Sequence, residues 1–200
     1  MKKELYSSLI MLTLPDSIKI TLFKVLDGDF AIEDFEEWVY SDAELESALT
    51  ADSYLDLISL DYKKSGAKYE LFKLIGELID SGEYEMYKLL KLVKNTMQKD
   101  EKLPYYLMEF YHLYCDGYDF LREIGLNYGL SVDVPPNADS WADLTSDQQQ
   151  ELLASFSPGL ELEIQRLVNW LQSGKIILTG QKGEYGRYIY TDYRDQEERK

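Results

Sequence analysis

Hydrophobic residues recur at intervals of three and four along most of the chain, from about residue 16 to residue 173. This spacing places apolar side chains on one face of successive helices and polar side chains on the opposite face. Asp16 is placed to cap the first helix, and Gly28 is placed to end it. Later stripes repeat the pattern: Ile32, Phe35, Trp38 and Val39; Tyr54, Leu57 and Ile58; Leu71, Phe72, Ile75, Leu78 and Ile79; Met86, Leu89, Leu90, Val93 and Met97.

Two short motifs predict further helix beginnings, and the end of the chain has a different pattern. Ser41-x-x-Glu44 and Thr145-x-x-Gln148 both have the spacing of a capping box. After Gly174, residues 176–179 and 187–191 are rich in β-branched and aromatic side chains and are separated by a glycine-containing turn. We therefore expect a mainly α-helical fold, a compact multi-helix bundle or array with a C-terminal β-hairpin.

The domain organisation follows from chain length and from one proline-rich segment. Two hundred residues suit a single domain, or one domain with a small appendage. Residues 131–140 contain two consecutive prolines and few apolar groups, which indicates a linker or a long loop. We expect an acidic helical domain at 1–130 and two helices plus the hairpin at 141–200, with the second part packed on the first as a single domain.

Composition narrows the class of protein. A hydrophobic fraction of 45% argues against disorder, and Cys115, the single cysteine, excludes an intrachain disulfide. The apolar run from Leu9 to Leu14 is short and is followed by Pro15-Asp16, so we expect no signal peptide. No window has the apolar length of a membrane span. These features predict a soluble, cytoplasmic protein.

Charge is the strongest chemical signal. The formal net charge is −16, and residues 25–62, the acidic segment, contain no lysine, arginine or histidine. The segment carries twelve carboxylates: Asp27, Asp29, Glu33, Asp34, Glu36, Glu37, Asp42, Glu44, Glu46, Asp52, Asp56 and Asp61. Such a density of like charge is relieved by a positive partner and repelled by nucleic acid and anionic lipid. We therefore expect a basic protein partner, with no nucleic acid and no membrane.

A solvated helix surface is the alternative interpretation of the acidic segment. Lysines further along the chain could balance it, but residues 63–102 contain nine lysines and seven acids, a surplus of only two. Exposed ion pairs also contribute only about 0–1 kcal/mol each. Internal pairing therefore cannot neutralise the acidic segment.

Candidate catalytic and metal-binding patterns are weak. Glu33 with Glu37, and Asp52 with Asp56, have the spacing of neighbours on a helix, but the Glu-x-x-His motif of helical di-iron sites is absent. His112 and Cys115 are the one pair that offers a base and a nucleophile, and their aromatic neighbours indicate a buried core helix instead. We expect no catalytic residue, no metal and no cofactor; a hydrolase-like site at His112 and Cys115 is the least favoured hypothesis.

Three stretches carry a family resemblance. They are Phe35-Glu36-Glu37-Trp38-Val39-Tyr40 with Glu44-Leu45-Glu46; Tyr54-Leu55-Asp56-Leu57-Ile58-Ser59-Leu60-Asp61-Tyr62 with Ala67-Lys68-Tyr69-Glu70-Leu71; and Ile177-Leu178-Thr179-Gly180 with Gly186-Arg187-Tyr188 and Tyr193-Arg194. Together they resemble a family of small, acidic, uncharacterised bacterial proteins, some of which look like immunity proteins paired with polymorphic or contact-dependent toxins. The resemblance covers about the first 75 and the last 25 residues and implies no catalytic residue.

Charge and resemblance together favour an immunity-type inhibitor that neutralises a basic toxin or nuclease by stoichiometric occlusion. The expected contacts are seven acids of the acidic segment with two aromatic anchors: Glu33, Glu36, Glu37, Glu44, Glu46, Asp52, Asp56, Tyr40 and Tyr62. The alternative is a helical scaffold or regulatory module that forms a homodimer through its C-terminal hairpin.

Overall fold

Residues 14–199 are described by the structure, which is a computed structural model. They form a mainly α-helical fold with a C-terminal two-stranded antiparallel hairpin, as the hydrophobic periodicity predicts. The chain divides into two compact units, residues 1–80 and residues 81–200. Two predictions concern residues that lie outside the described range: that the chain has no signal peptide, and where the predicted 1–130 domain begins.

Within residues 14–80, the first unit forms five helices. They are α1 (Asp16–Asp27), α2 (Ile32–Ser41), α3 (Ala43–Ala48), α4 (Ala51–Ile58) and α5 (Ala67–Leu78). Gly28 ends α1 with a φ of 79°, a left-handed conformation that glycine adopts without strain. Thr50 caps α4 by accepting a hydrogen bond from the Ser53 amide at 3.1 Å.

The helical stripes predicted from the sequence form the core of this unit. Its buried residues are Leu14, Ile18, Leu22, Val25, Phe35, Val39, Leu45, Leu49, Leu57, Tyr62, Leu71 and Ile75. Each short helix contributes only one or two of them, so these helices depend on mutual packing more than on their own propensity. The core thereby fixes which face of each helix points outward.

Two of the predicted helix beginnings in this unit are wrong. Ser41 is the last residue of α2, so the Ser41–Glu44 capping box does not form. Asp42 caps α3 instead and accepts hydrogen bonds from the amides of Glu44 at 2.9 Å and Leu45 at 3.0 Å. Asp16 is the first helical residue of α1, whose cap position is Pro15. Adjacent Ser and Asp residues both favour caps, so spacing alone could not choose between them.

The second unit contains six α-helical segments and the hairpin. They are α6 (Ser81–Gln98), α7 (Leu103–Cys115), α8 (Arg122–Ile124), α9 (Leu130–Asp133), α10 (Ser146–Ser155), α11 (Gly159–Gln172), β1 (Ile176–Lys182) and β2 (Tyr188–Asp192). A π-helical turn, Gly125–Gly129, joins α8 to α9. The predicted Thr145–Gln148 capping box is confirmed, with the Thr145 Oγ1 accepting from the Gln148 amide at 3.3 Å.

The hairpin is part of the core of the second unit. Strands β1 and β2 pair Ile176 with Asp192 and Leu178 with Tyr190. Ile176 and Leu178 are buried in the same cluster as residues of α6, α7 and α11. Gly180 has a φ of 67° and lies so close to Ser81 that a Cβ atom would clash. The strand therefore packs directly against the beginning of α6.

The division between the units differs from the predicted domain boundary. It falls between Asp80 and Ser81, and the segment 131–140, predicted as a linker, lies inside the second unit. That segment begins in α9 and continues as turns that lead towards α10. Consecutive prolines mark a loop whether it joins two domains or two helices of one unit, so composition alone could not place the division.

Glu161 ties the beginning of α11 to the end of α6. Its Oε1 accepts hydrogen bonds from the Lys99 ammonium and from the Ser157 hydroxyl, the latter at 2.7 Å. These hydrogen bonds lower the pKa of Glu161 from 4.5 to about 2. The ionised carboxylate therefore favours the folded state, because protons bind it more weakly there than in the unfolded chain.

We expect this link to weaken in acid. Its contribution to the free energy of unfolding is complete above pH 4.5 and is lost as the pH falls towards 2. The stability difference between wild type and Glu161→Gln, measured by urea unfolding, should therefore shrink across this range. Glu151→Gln, an exposed change on α10, is the matched control. A difference between wild type and Glu161→Gln that stays constant with pH would contradict this assignment.

Candidate functional site

The carboxylates of α2 lie on its outward face. Phe35 and Val39 are buried in the core, so helix geometry places Glu33 and Glu37, one turn apart, on the opposite side. Both glutamates are exposed, and Tyr40 follows them on the same side with 58% of its surface accessible. The outer face of α2 is therefore acidic, with one aromatic ring.

Helices α3 and α4 present the same chemistry. Glu44 and Glu46 are exposed on α3, and Asp52 and Asp56 are exposed on α4. The Glu44 Oε2 accepts a hydrogen bond from the Ser17 hydroxyl at 3.0 Å. Helices α2, α3 and α4 are named the acidic helices below.

Most of these charges form no ion pair with another residue of the range that the structure describes. Within residues 14–199, none of the ion pairs involves the exposed carboxylates of Glu33, Glu37, Glu46, Asp52 or Asp56. The ion pair that Lys64 forms in this unit is with Glu70, at 3.4 Å, beyond the acidic helices. The repulsion among these carboxylates is therefore screened by solvent and salt rather than by neighbouring side chains.

Tyr40 connects two of the acidic helices. Its hydroxyl donates a hydrogen bond to the Ile58 carbonyl oxygen at 2.8 Å, at the end of α4. This bond restrains the ring, so little side-chain freedom remains at this exposed position. Tyr40 is thus an exposed aromatic group that is already oriented at the end of both helices.

Leu55 is a surface residue that the sequence analysis missed. It is 55% exposed and lies beside Asp52 and Asp56 on the outer face of α4. The signal was present in the sequence, since Leu55 falls outside the apolar stripe of Tyr54, Leu57 and Ile58. The outer face of α4 therefore presents an exposed apolar side chain among its carboxylates.

The prediction that Tyr62 is a surface anchor is wrong. Tyr62 is only 8% exposed, its ring lies 6.4 Å from that of Phe35, and its hydroxyl donates to the Leu57 carbonyl oxygen at 3.0 Å. Burial, followed by the proximity of Tyr40 and Glu36, raises the pKa of the Tyr62 hydroxyl. Glu36 is half-buried beside this cluster, so it is a weaker contact candidate than Glu33 or Glu37.

His112 and Cys115 are not core residues, contrary to the sequence interpretation. The His112 side chain is 51% exposed and Cys115 is exposed, because α7 buries Leu103, Leu107 and Phe110 on its other face. The His112 Nδ1 lies 3.7 Å from the Glu109 Oε1.

Cys115 has a different neighbour. The proximity of Cys115 to the Tyr111 hydroxyl raises the pKa of Tyr111. The thiol therefore lies near a phenol, and the imidazole lies near a carboxylate. Among the described residues there is no hydrogen bond between the His112 imidazole and the Cys115 thiol, the contact by which a base activates a thiol.

The described residues contain neither a metal-binding cluster nor a membrane-spanning helix. Between residues 14 and 199, no three side chains of His, Cys, Asp or Glu converge in a way that would hold a metal ion. None of the helices in that range combines the length and the apolar character that crossing a membrane demands.

Comparison with known proteins identifies no similar protein. No protein-family model, no curated protein and no solved structure matches this chain. The resemblance to immunity proteins therefore stays a prediction based on the three stretches quoted above.

Proposed function

We propose that this chain is a non-enzymatic, acidic binding protein of the immunity type. It neutralises a basic toxin or nuclease in the cytoplasm by forming a one-to-one complex that occludes the partner. The observation that supports the proposal most strongly is the set of exposed carboxylates on the acidic helices that form no ion pair within residues 14–199.

Electrostatic steering is the first step of the proposed mechanism. An acidic surface attracts a basic partner over roughly one Debye length, about 8 Å at physiological salt, and orients it before contact. Steering of this kind raises association rates by ~10–1,000-fold at low salt. The encounter therefore depends on Glu33, Glu37, Asp52 and Asp56 collectively rather than on any single carboxylate.

Apolar anchors provide the second step. Tyr40 and Leu55 are both more than half exposed, and both lie next to carboxylates on their own helices. Interfaces typically concentrate binding energy in a few such groups, surrounded by polar contacts that exclude water. Burial of these two side chains by the partner would hold the complex together after the charges have brought it into place.

Affinity capture followed by an activity assay tests the proposal. The tagged protein is used to capture partners from its source cells, and bound proteins are eluted with increasing salt. We expect one basic protein in a one-to-one, salt-sensitive complex, whose toxic or nuclease activity falls to zero at one equivalent of this chain. A captured partner that keeps full activity at several equivalents would contradict the inhibitory function.

One observation favours the second candidate, a scaffold that self-associates through the hairpin. Ile177 on β1 and Ile189 on β2 are 45% and 44% exposed. Truncation after Ser173 would remove Ile176 and Leu178 from the core, so surface substitutions are the cleaner test. If this candidate holds, the double variant Ile177→Thr, Ile189→Thr should sediment with half the mass of the wild-type protein. An unchanged mass would exclude the hairpin as a dimer interface.

A further inference from the structure

A pocket in the second unit has no part in the proposed function. It lies between α6, α7 and the hairpin and has a volume of about 330 Å³. This volume is at the lower end of the range of small-molecule sites, roughly 300–1,000 Å³. Leu89, Leu92 and Leu113 provide apolar lining, and the other lining groups are mostly ionisable or aromatic.

Tyr118 lines this pocket with an unsatisfied hydroxyl. The residue is 1% exposed, and its ring stacks on that of Tyr188 with the centroids 4.6 Å apart. Its hydroxyl oxygen is buried and has no hydrogen-bond partner among residues 14–199. Tyrosine hydroxyls normally find a partner when they are buried, so this one requires an explanation.

The surroundings of the hydroxyl place it at the pocket. Burial, followed by the charge of Glu85 and the proximity of Tyr188, raises the pKa of Tyr118. Glu85 and Tyr188 both line the pocket. The hydroxyl therefore stays protonated just behind the lining of the pocket, since its oxygen is buried. A hydroxyl oxygen can accept one hydrogen bond while its proton is donated in another.

The charges around the pocket determine whether it favours a positively or a negatively charged ligand. Glu85, Glu109 and Asp116 contribute three carboxylates. Lys88 is already engaged, since its ammonium donates to the Glu85 Oε1 at 2.9 Å. His112 also lines the pocket, and the Lys182 ammonium lies 4.3 Å from the centroid of the Tyr188 ring. The three carboxylates still outnumber the two lysines, so an anion would meet repulsion where a cation would meet attraction.

We propose that this pocket binds a small organic cation, an ammonium or guanidinium group on a short aliphatic chain. The aliphatic chain packs on the leucines, and the cationic head lies among the carboxylates of Glu85, Glu109 and Asp116. Binding shifts the Tyr118 side chain slightly, so that an N–H group of the head donates to its hydroxyl oxygen and gives the hydroxyl the partner that it lacks. The proposal rests on the second unit alone and does not depend on the function of the acidic helices.

Calorimetric titration of the full chain with n-butylguanidinium, n-butylammonium and butyrate tests the proposal. We expect saturable one-to-one binding of at least one cation and no binding of butyrate. Tyr118→Phe should weaken the binding by about tenfold, which is the effect of losing one hydrogen bond to a charged group. The unfolding midpoint of this variant should be unchanged or higher, because the substitution removes a hydroxyl that has no partner.

A control separates this site from general attraction by the acidic helices. Asp52→Asn with Asp56→Asn should bind the cations as wild type does, while Glu109→Gln with Asp116→Asn should bind them more weakly. The proposal is wrong if neither cation binds saturably, if Tyr118→Phe binds both as tightly as wild type, or if the Asp52 and Asp56 substitutions abolish binding.

Discussion

Reversal of four charges on the acidic helices, Glu33→Lys, Glu37→Lys, Asp52→Lys and Asp56→Lys together, should slow association with the proposed basic partner by ~10–1,000-fold at low salt. All four side chains are exposed and outside the ion pairs of the described residues. The substitution therefore changes the electrostatic field of the first unit without removing a core contact. The dissociation rate should change much less, because steering acts before contact.

Stopped-flow mixing at low and high salt measures this effect. A matched control reverses four exposed carboxylates of the second unit, Glu101, Asp139, Glu151 and Glu184, and so changes the net charge equally. The difference between the two variants should be large at low salt and small at high salt, because screening removes steering. Equal slowing in both variants would mean that only the net charge matters, which would contradict a localised binding face.

Arg194→Ala should lower the free energy of unfolding of the second unit by about 3–5 kcal/mol, the usual effect of removing one partner from a buried charge pair. Arg194 is 8% exposed and donates to both carboxylate oxygens of Asp192, at 3.1 Å from Nε and 2.9 Å from Nη2. Its guanidinium also lies 4.3 Å from the ring centroid of Trp170. These contacts join β2 and the C-terminal segment to α11.

The ionisation of Asp192 reflects the same arrangement. Burial alone would raise the pKa of Asp192, but hydrogen bonds and the positive charge of Arg194 outweigh it and lower the pKa. Without Arg194, the remaining cation is Arg199, at the longer distance of 3.6 Å from the Asp192 Oδ2. The partly buried Asp192 carboxylate would then be stabilised only by the weaker attraction of the more distant Arg199.

Urea unfolding followed by tryptophan fluorescence measures the loss, since Trp170 lies beside the substituted residue. Arg166→Ala is the matched control, because Arg166 is 53% exposed and its pair with Glu163 should contribute about 0–1 kcal/mol. The free energy of unfolding of Arg194→Lys should lie between those of Arg194→Ala and Arg166→Ala, because lysine keeps the positive charge but lacks the planar guanidinium group. Equal stability of Arg194→Ala and Arg166→Ala would show that Arg194 does not hold the C-terminal segment.

The helices and the hairpin could be predicted because they follow from local patterns. Phe35 and Val39 recur at helical spacing on α2, and the Thr145–Gln148 motif marks the beginning of α10. The exposure of Glu33 and Glu37 follows from the same periodicity, because burial of one face of a surface helix leaves the opposite face exposed to solvent. Local periodicity therefore contains enough information to place most of the acidic contacts on the surface.

Features that depend on distant contacts could not be predicted. Tyr62 lies in the segment between α4 and α5, where no periodicity indicates burial, and it packs on Phe35 far earlier in the chain. Arg194 and the unpaired hydroxyl of Tyr118 are buried only because separate elements converge on them. A charged residue near a chain end and a tyrosine among seventeen give no signal of this in the sequence.

Hydrogen–deuterium exchange of the chain, alone and in complex with the captured partner, tests the central claim most directly. The account predicts that binding slows exchange in peptides from residues 32–58, the acidic helices, with the peptides that contain Tyr40 and Leu55 among the most protected. Protection confined to residues 176–192, or to any other part of the second unit, with no change in residues 32–58, would contradict it.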